Sequence, residues 1–152
     1  MLRKARIADA KKIQKLIVFW AKEGKVLNRP LNYIFEHIRD FWVYQERGTI
    51  LGACALHIVG WDDLAEVKSL VVRKARHRRG IGKKLVKACV AEAKELGVKN
   101  IFTLTYVDEF FKKLGFRKIN KNKLPHKIWN ECIHCVDFPN QCRETALVLK
   151  IK

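Results

Sequence analysis

Apolar positions repeat in two different ways along this chain, and the changes between them divide it into helices and strands. Apolar residues that recur at three- and four-residue steps predict helices, whereas alternating or continuous apolar runs predict strands. The resulting α/β order is strand 1–7, helix 10–21, helix 32–41, strands 42–46 and 49–59, strand 66–72, helix 81–96, strand 100–106, helix 108–114 and a last strand after residue 143.

The predicted strand 66–72 is followed by a basic turn with two glycines and then by a helix, a succession that suits a phosphate group. Gly80 and Gly82 lie where the helix begins, so backbone N–H groups without a helical partner face outward there, at the positive end of the helix dipole. The spacing matches neither a Walker loop nor a dinucleotide fingerprint, and a Gly-x-Gly turn that merely begins a helix is the alternative. The flanking basic residues supply countercharge: Arg78, Arg79, Lys83 and Lys84.

The composition fits one globular domain, which we place over residues 1–152. Lys and Arg total 32 against 15 acidic residues, a formal charge of +17 that points to polyanionic partners. The basic residues are spread along the chain without a nucleic-acid-binding motif, so we do not expect nucleic acid, and a solvated Lys-rich exterior is the alternative. Because the apolar run 16–21 is too short to cross a bilayer, we expect a cytoplasmic protein without a membrane partner.

Two segments resemble motifs of the GNAT acetyltransferase superfamily. Residues 77–82 are similar to its acetyl-CoA pyrophosphate loop, Arg/Gln-x-x-Gly-x-Gly/Ala, with His77 in place of the usual Arg or Gln. Residues 110–116 are similar to its Leu-Tyr-x-Lys-x-Gly-Phe segment, where Phe111 replaces a Tyr that in many members protonates the departing thiolate. The resemblance implies a mixed central sheet with helices on both faces and a V-shaped splay between strands 4 and 5.

The same resemblance implies acetyl-CoA as the cosubstrate. It assigns to acetyl-CoA the end of the fourth strand, the glycine loop and one residue of the short helix: Leu70, Val71, Val72, His77, Arg78, Arg79, Gly80, Ile81, Gly82, Lys83 and Phe111.

The C-terminal segment strongly resembles that of short bacterial N-acetylglutamate synthase-type acetyltransferases. The similarity lies in 124–132, 138–139 and 144–148, and also in 27–29 and 53–57. It implies acetyl transfer to the α-amine of L-glutamate, the first step of arginine biosynthesis, and a substrate-side insertion over 119–143 before the last strand. A homodimer is left open.

An amine attacks a thioester only after losing its proton, so the reaction needs a base or a water chain that leads to one. The resemblance points to Glu66 on the fourth strand, and a carboxylate that only pairs with a neighbouring Lys is the alternative. Thr105, at the end of the fifth strand, resembles the hydroxyl that meets the thiolate in the same enzymes. Tyr106 is the competing donor.

Glutamate has two carboxylates, and Arg is suited to bind such groups through paired hydrogen bonds. Arg29 lies in the loop between the first two helices, where GNAT folds shape the acceptor pocket, and a surface loop Arg is the alternative. Leu27, Lys68 and Lys127 complete the predicted acceptor-binding set. Arg143 stands where relatives often have an acidic residue, which leaves the acceptor open.

A compact cluster near the C-terminus has side chains of the types that bind zinc: Cys132, His134, Cys135 and Cys142. Its spacing lacks a second paired element, so reduced thiols are the simpler interpretation and we expect no metal; a redox pair of Cys132 and Cys135 is a third possibility. Cys54 and Cys89 are predicted core residues.

Three functions therefore compete. The first is a glutamate N-acetyltransferase, the second the same fold acting on another amino acid or a protein N-terminus, and the third a non-catalytic basic module that binds nucleic acid. We prefer the first, because a pocket built to bind carboxylates has no use for a polycationic acceptor.

Overall fold

The computed structural model describes residues 1–59, 63–77, 79–120 and 144–151, and within them the chain forms seven strands and four α-helices. The strands are β1 (Leu2–Lys4), β2 (Phe41–Glu46), β3 (Thr49–Ile58), β4 (Leu64–Val72), β5 (Asn100–Thr105), β6 (Arg117–Lys118) and β7 (Thr145–Lys150). The α-helices are α1 (Ala10–Lys22), α2 (Leu31–Glu36), α3 (Ile81–Leu96) and α4 (Asp108–Lys113). In this described part, no helix is both long enough and apolar enough to span a bilayer.

The strands form a mixed sheet in the order β1-β2-β3-β4-β5-β7-β6. β1 and β2, β2 and β3, β5 and β7, and β6 and β7 pair antiparallel, whereas β4 and β5 pair in parallel from Leu64↔Asn100 to Glu66↔Phe102. Parallel neighbours require a crossover connection, and α3 lies in the chain between these two strands. The predicted α/β fold with a mixed sheet is confirmed.

The chain divides into two compact units, each with its own core. The first unit comprises residues 1–57 and 67–92, and the second comprises 58–66 and 93–152. Fully buried residues of α1, α2 and β2 lie in the core of the first unit: Ile13, Ile17, Ile34, Phe41 and Val43. The second unit has a smaller core around Val59, Phe102 and Ala146.

The predicted helix over 32–41 is too long at its C-terminal end. α2 ends at Glu36, a 3-10 turn covers Ile38–Asp40, and Phe41 opens β2. Phe41 is fully buried and pairs with Ala55 across the β2–β3 ladder, so the residue assigned to the helix face instead begins the two-residue alternation of a strand. Tertiary pairing therefore overrides the helical spacing of Ile34, Ile38 and Phe41.

The predicted strand over 1–7 is also too long, because Asp9 bends the chain into a 3-10 turn. The Arg6 N–H donates to Asp9 Oδ2 at 2.7 Å, and Arg3 donates to both oxygens of the same carboxylate at 2.8 and 3.0 Å. The hydrogen bonds from Arg3 lower the pKa of Asp9, so the carboxylate stays charged in this partly buried site.

The contact between β3 and α3 depends on a glycine. A Cβ placed on Gly52 would lie 3.0 Å from Leu85 Cδ1, 3.1 Å from the Val71 carbonyl oxygen and 3.2 Å from Ile81 Cγ2. The first turn of α3 therefore sits close to the sheet beside the end of β4. Deeper in the same unit, Cys54 and Cys89 are fully buried as predicted, and their mutual hydrogen bond, together with burial, raises the pKa of the Cys89 thiol well above its usual value.

We expect Gly52→Ala to lower the free energy of unfolding by about 1–3 kcal/mol, because the added methyl group overfills this contact. Urea unfolding of the two proteins measures the difference. Thr49→Ala is the matched control, since Thr49 is exposed on the same strand and its truncation should change stability by no more than about 0.5 kcal/mol. An unfolding midpoint of Gly52→Ala equal to that of the unmodified protein would show that the helix adjusts without cost.

Candidate active site

The segment between β4 and α3 is exposed and leads into the helix through a glycine. Gly80 has φ +78°, a left-handed conformation that favours glycine, and no atom lies within 4 Å of the position that a Cβ would take. The Lys84 N–H donates to the Gly80 carbonyl at 3.0 Å, and earlier N–H groups of an α-helix have no partner within the helix. Arg79 and Lys83 are exposed beside them. A phosphate cradle at this point stays a prediction.

His77, the residue that departs from the loop motif, contacts the protein itself. Its ring stacks on Trp20 with centroids 4.9 Å apart and planes 14° apart. Its Nε2 lies 3.0 Å from the Val72 carbonyl oxygen, which also accepts a hydrogen bond from Trp20 Nε1 at 2.9 Å. His77 therefore fixes the start of the loop against α1 and the end of β4.

The last residues of β4 differ in exposure. Val71 is buried in the core of the first unit, whereas Leu70 and Val72 are half-buried. Ser69, just before them, has φ +55°, which breaks the regular strand conformation. All three predicted acetyl-CoA residues at this end thus lie next to a local irregularity in the backbone.

Two residues predicted to bind the acceptor lie against one aromatic ring in the first unit. The guanidinium carbon of Arg29 is 4.6 Å from the centroid of Tyr33, and Nζ of Lys68 is 5.4 Å from it. Lys68 is only 9% exposed, and Arg29 is half-buried. Leu27, the third described residue of this set, is exposed. The structure therefore brings together two cations from a loop and a strand that are far apart in sequence.

Tyr33 is itself held by a row of polar rings. His37 stacks on Tyr33 with centroids 4.0 Å apart, and His57 lies edge-on to His37 at 5.6 Å. Nδ1 of His57 is 2.8 Å from Asp40 Oδ2, so this row ends at a carboxylate. The ring that Arg29 and Lys68 contact is thereby fixed to both α2 and β3.

In the second unit, Glu66 is the third residue of β4 and lies opposite Phe102 in the parallel ladder. Only 7% of Glu66 is exposed.

The two candidate hydroxyl donors follow each other at the end of β5. Oγ1 of Thr105 accepts a hydrogen bond from the Val107 N–H at 3.0 Å, which leaves the hydroxyl hydrogen able to point elsewhere. Tyr106 is half-buried directly after the strand.

Phe111 is 2% exposed on α4. Its ring lies edge-on to Phe110 at 5.1 Å and to Phe116 at 5.3 Å, so it belongs to an aromatic cluster of the second unit. A role beside the pantetheine arm stays a prediction.

Several predicted site residues lie outside the described ranges: Arg78, Lys127, Cys132, His134, Cys135 and Cys142. The proposed insertion 119–143 and Arg143 also fall there, apart from residues 119 and 120. Among the residues that the structure does describe, no group of three or more His, Cys, Asp or Glu side chains is arranged to hold a metal ion.

Trp20 and Tyr33 contact residues of the candidate site, although the sequence predicts no role for them there. The indole N–H of a partly buried Trp needs a hydrogen-bond acceptor, and this requirement is a signal that could have indicated a contact of Trp20 with a backbone carbonyl. Tyr33 follows Arg29 by four residues, but α2 begins only at Leu31, so helical spacing gives no reason to pair them. The contact of Tyr33 with Lys68 depends on the tertiary fold.

Comparison with known proteins decides the family. The description Acetyltransferase (GNAT) domain matches residues 37–118. An uncharacterized N-acetyltransferase of Chlorobaculum tepidum is 40% identical over 149 residues, which cover 97% of this chain and 94% of that relative. The chain belongs to the GNAT acetyltransferase family. The predicted family and the predicted acetyltransferase class are confirmed.

Other relatives of this GNAT chain have more specific names. An amino-acid acetyltransferase of Mycobacterium tuberculosis is 30% identical over 142 residues, 91% of this chain and 80% of the relative. A crystal structure of an M. tuberculosis protein in complex with CoA and NLQ has a TM-score of 0.87 at 26% identity, covering 100% and 99% of the two chains. N-acetylglutamate synthase of Neisseria gonorrhoeae, complexed with coenzyme A and N-acetyl-glutamate, shares the fold with a TM-score of 0.91 at 24% identity, and this chain spans 35% of its length.

Proposed function

We propose that this GNAT chain transfers the acetyl group of acetyl-CoA to the α-amine of L-glutamate, the first step of arginine biosynthesis. The observation that carries the proposal is the pair of cations, Arg29 and Lys68, on the ring of Tyr33. The proposal is supported by the amino-acid acetyltransferase of M. tuberculosis among the relatives and by the N-acetylglutamate synthase among the structures that share the fold.

Glutamate differs from most amino acids in having a second carboxylate, which needs a second cation. The planar guanidinium of Arg29 suits paired hydrogen bonds to one carboxylate, and the ammonium of Lys68 supplies a point charge. Each cation gains roughly 0.5–2 kcal/mol from the face of an aromatic ring, which offsets part of their mutual repulsion and of the desolvation of Lys68. Tyr33 thus keeps two like charges close together before the acceptor binds.

The reaction begins when the ammonium of the amino acid loses its proton. We assign Glu66 as the base, acting directly or through water, because its buried carboxylate has little competing solvent. The amine nitrogen then forms a bond with the acetyl carbon, and the bond from that carbon to the CoA sulfur breaks. The thiolate leaves with the electron pair, the nitrogen gives up a second proton as the amide forms, and the sulfur takes up a proton to give the free thiol of CoA.

We assign the hydroxyl of Thr105 as the donor of a hydrogen bond to the departing thiolate, with Tyr106 as the competing donor. Since Thr105 accepts its hydrogen bond from the Val107 N–H through oxygen, its own hydrogen stays available for the sulfur. A thiolate needs little help to leave, so a hydrogen bond is sufficient. Phe111, which has no hydroxyl, fits this division of roles.

We expect the purified protein to release free thiol from acetyl-CoA when glutamate is offered as the acceptor, and not when most other common amino acids are offered singly. Thiol release is followed at a fixed pH for each acceptor, with a no-acceptor control. Turnover restricted to a different amino acid would replace glutamate in the proposal. Binding of acetyl-CoA without turnover on any amino acid would exclude this acceptor class.

We expect Gly80→Ala to weaken acetyl-CoA binding by roughly tenfold, because a methyl group and the strain of a left-handed Ala hinder the approach of phosphate to the backbone. Calorimetric titration with acetyl-CoA measures the affinity. Gly24→Ala is the matched control, since Gly24 also has a left-handed φ, +71°, and open space around its Cβ position. Both variants should lose similar stability, and equal affinities in the two would remove the loop from the proposed site.

We expect Arg29→Ala to raise the KM for glutamate roughly tenfold to a hundredfold while leaving that for acetyl-CoA nearly unchanged, because a charged hydrogen-bonded contact contributes about 1.5–3 kcal/mol. Steady-state kinetics with each substrate varied in turn separate the two constants. Arg39→Ala, which removes an exposed Arg from the segment after α2, is the control and should leave both unchanged. A rise of the same size for both substrates would contradict a carboxylate clamp.

A further inference from the structure

A second basic site lies in the first unit, outside the loop assigned to acetyl-CoA. A cleft of about 350 Å³ is formed by the β2–β3 hairpin and the segment that follows β4. Its lining residues are Glu46, Arg47, Thr49, Leu51, Arg73 and Arg76. None of them belongs to residues 77–83, and none has a part in the proposed reaction.

The backbone of this cleft is well fixed. Arg47 and Gly48 form the two-residue hairpin turn, with φ of 49° and 78°. The Arg73 N–H donates to the Leu51 carbonyl at 2.7 Å, and the Arg76 N–H donates to the Arg73 carbonyl at 2.8 Å. The three arginines thus extend from a hairpin and a 3-10 turn that hydrogen bonds hold in place.

The charge of the cleft is unbalanced. It contains three guanidinium groups and the single carboxylate of Glu46. Within the described part of the chain, Arg47, Arg73 and Arg76 form no ion pair and no side-chain hydrogen bond. Arg47 also occupies a left-handed position that usually favours Gly or Asn. Like charges that converge on one concave surface are best balanced by an anion.

We propose that this cleft binds a small phosphate-bearing anion at a site separate from the acetyl-CoA loop. Guanidinium groups match the oxygens of phosphate in pairs, and the hydroxyl of Thr49 adds a further donor. The carboxylate of Glu46 accepts from a hydroxyl group, so the ligand is a phosphorylated compound that also carries a hydroxyl, such as a phosphorylated sugar or a nucleotide. Two of the three arginines lie in the segment that leads into the acetyl-CoA loop.

The test uses inorganic pyrophosphate as the probe and the full chain saturated with CoA. Saturation is required because a free acetyl-CoA loop would itself attract pyrophosphate. The ionic strength is fixed so that the non-specific electrostatic attraction of pyrophosphate to the chain, with its charge of +17, stays constant. Calorimetric titration should show one site. Arg47→Asn and Arg73→Gln should each lower the affinity for pyrophosphate by roughly tenfold or more without changing the affinity for CoA. Asn is chosen at position 47 because it tolerates the left-handed turn.

Arg117→Gln is the matched control, since it removes the same charge from an exposed position on β6 and should leave pyrophosphate affinity unchanged. An equal loss in Arg117→Gln would reduce the effect to net charge and overturn the proposal. So would absence of pyrophosphate binding to the CoA-saturated protein, or unchanged affinity in Arg47→Asn. Tighter binding of citrate than of pyrophosphate would overturn the assignment to phosphate. Failure to bind CoA would count against the proposed acetyltransferase site alone, since the cleft shares no residue with it, and the comparison of Arg47→Asn with Arg117→Gln would then test the cleft without CoA.

Discussion

The conformation of the exposed loop in the first unit depends on one backbone oxygen, the carbonyl of Val72. It accepts from the indole of Trp20 at 2.9 Å and from the ring of His77 at 3.0 Å, and the two rings stack on each other. A shielded acceptor left without a hydrogen bond costs about 1–3 kcal/mol, so these two donors stabilise the carbonyl in this position. The replacement of Arg or Gln by His77 at the first position of the motif thereby ties the loop to α1.

Arg29 and Lys68, the two residues predicted to bind the acceptor, are likewise held by an aromatic ring. Arg29 and Lys68 are both cations, and their contacts with the ring of Tyr33 offset part of their mutual repulsion. His37 stacks on Tyr33, and the row of rings continues through His57 to the carboxylate of Asp40. Position of the charges, more than their number, defines what can bind.

Features encoded in short stretches of sequence could be predicted, and features that depend on distant contacts could not. The bounds of α3, the turn at Arg47 and Gly48, and the core positions of Cys54 and Cys89 all follow from local spacing, and the structure confirms them. The end of α2 does not, because pairing of Phe41 with Ala55 decides it. The contact of Arg29 and Lys68 with one ring likewise depends on tertiary folding, although both residues could be named from the sequence as candidates for binding the acceptor.

The charge of +17 shows why composition alone is a weak guide to function in this chain. The sequence has 32 Lys and Arg residues. At physiological ionic strength, interactions between exposed charges are largely screened beyond about 8–10 Å. A cation contributes to recognition when its position is fixed and water is partly removed from it, as at Lys68. Several cations also contribute when they converge without a partner among the described residues, as in the arginine cleft. These two situations arise in different places in the first unit, and we propose a different ligand for each: a dicarboxylate at Tyr33 and a phosphate at the hairpin.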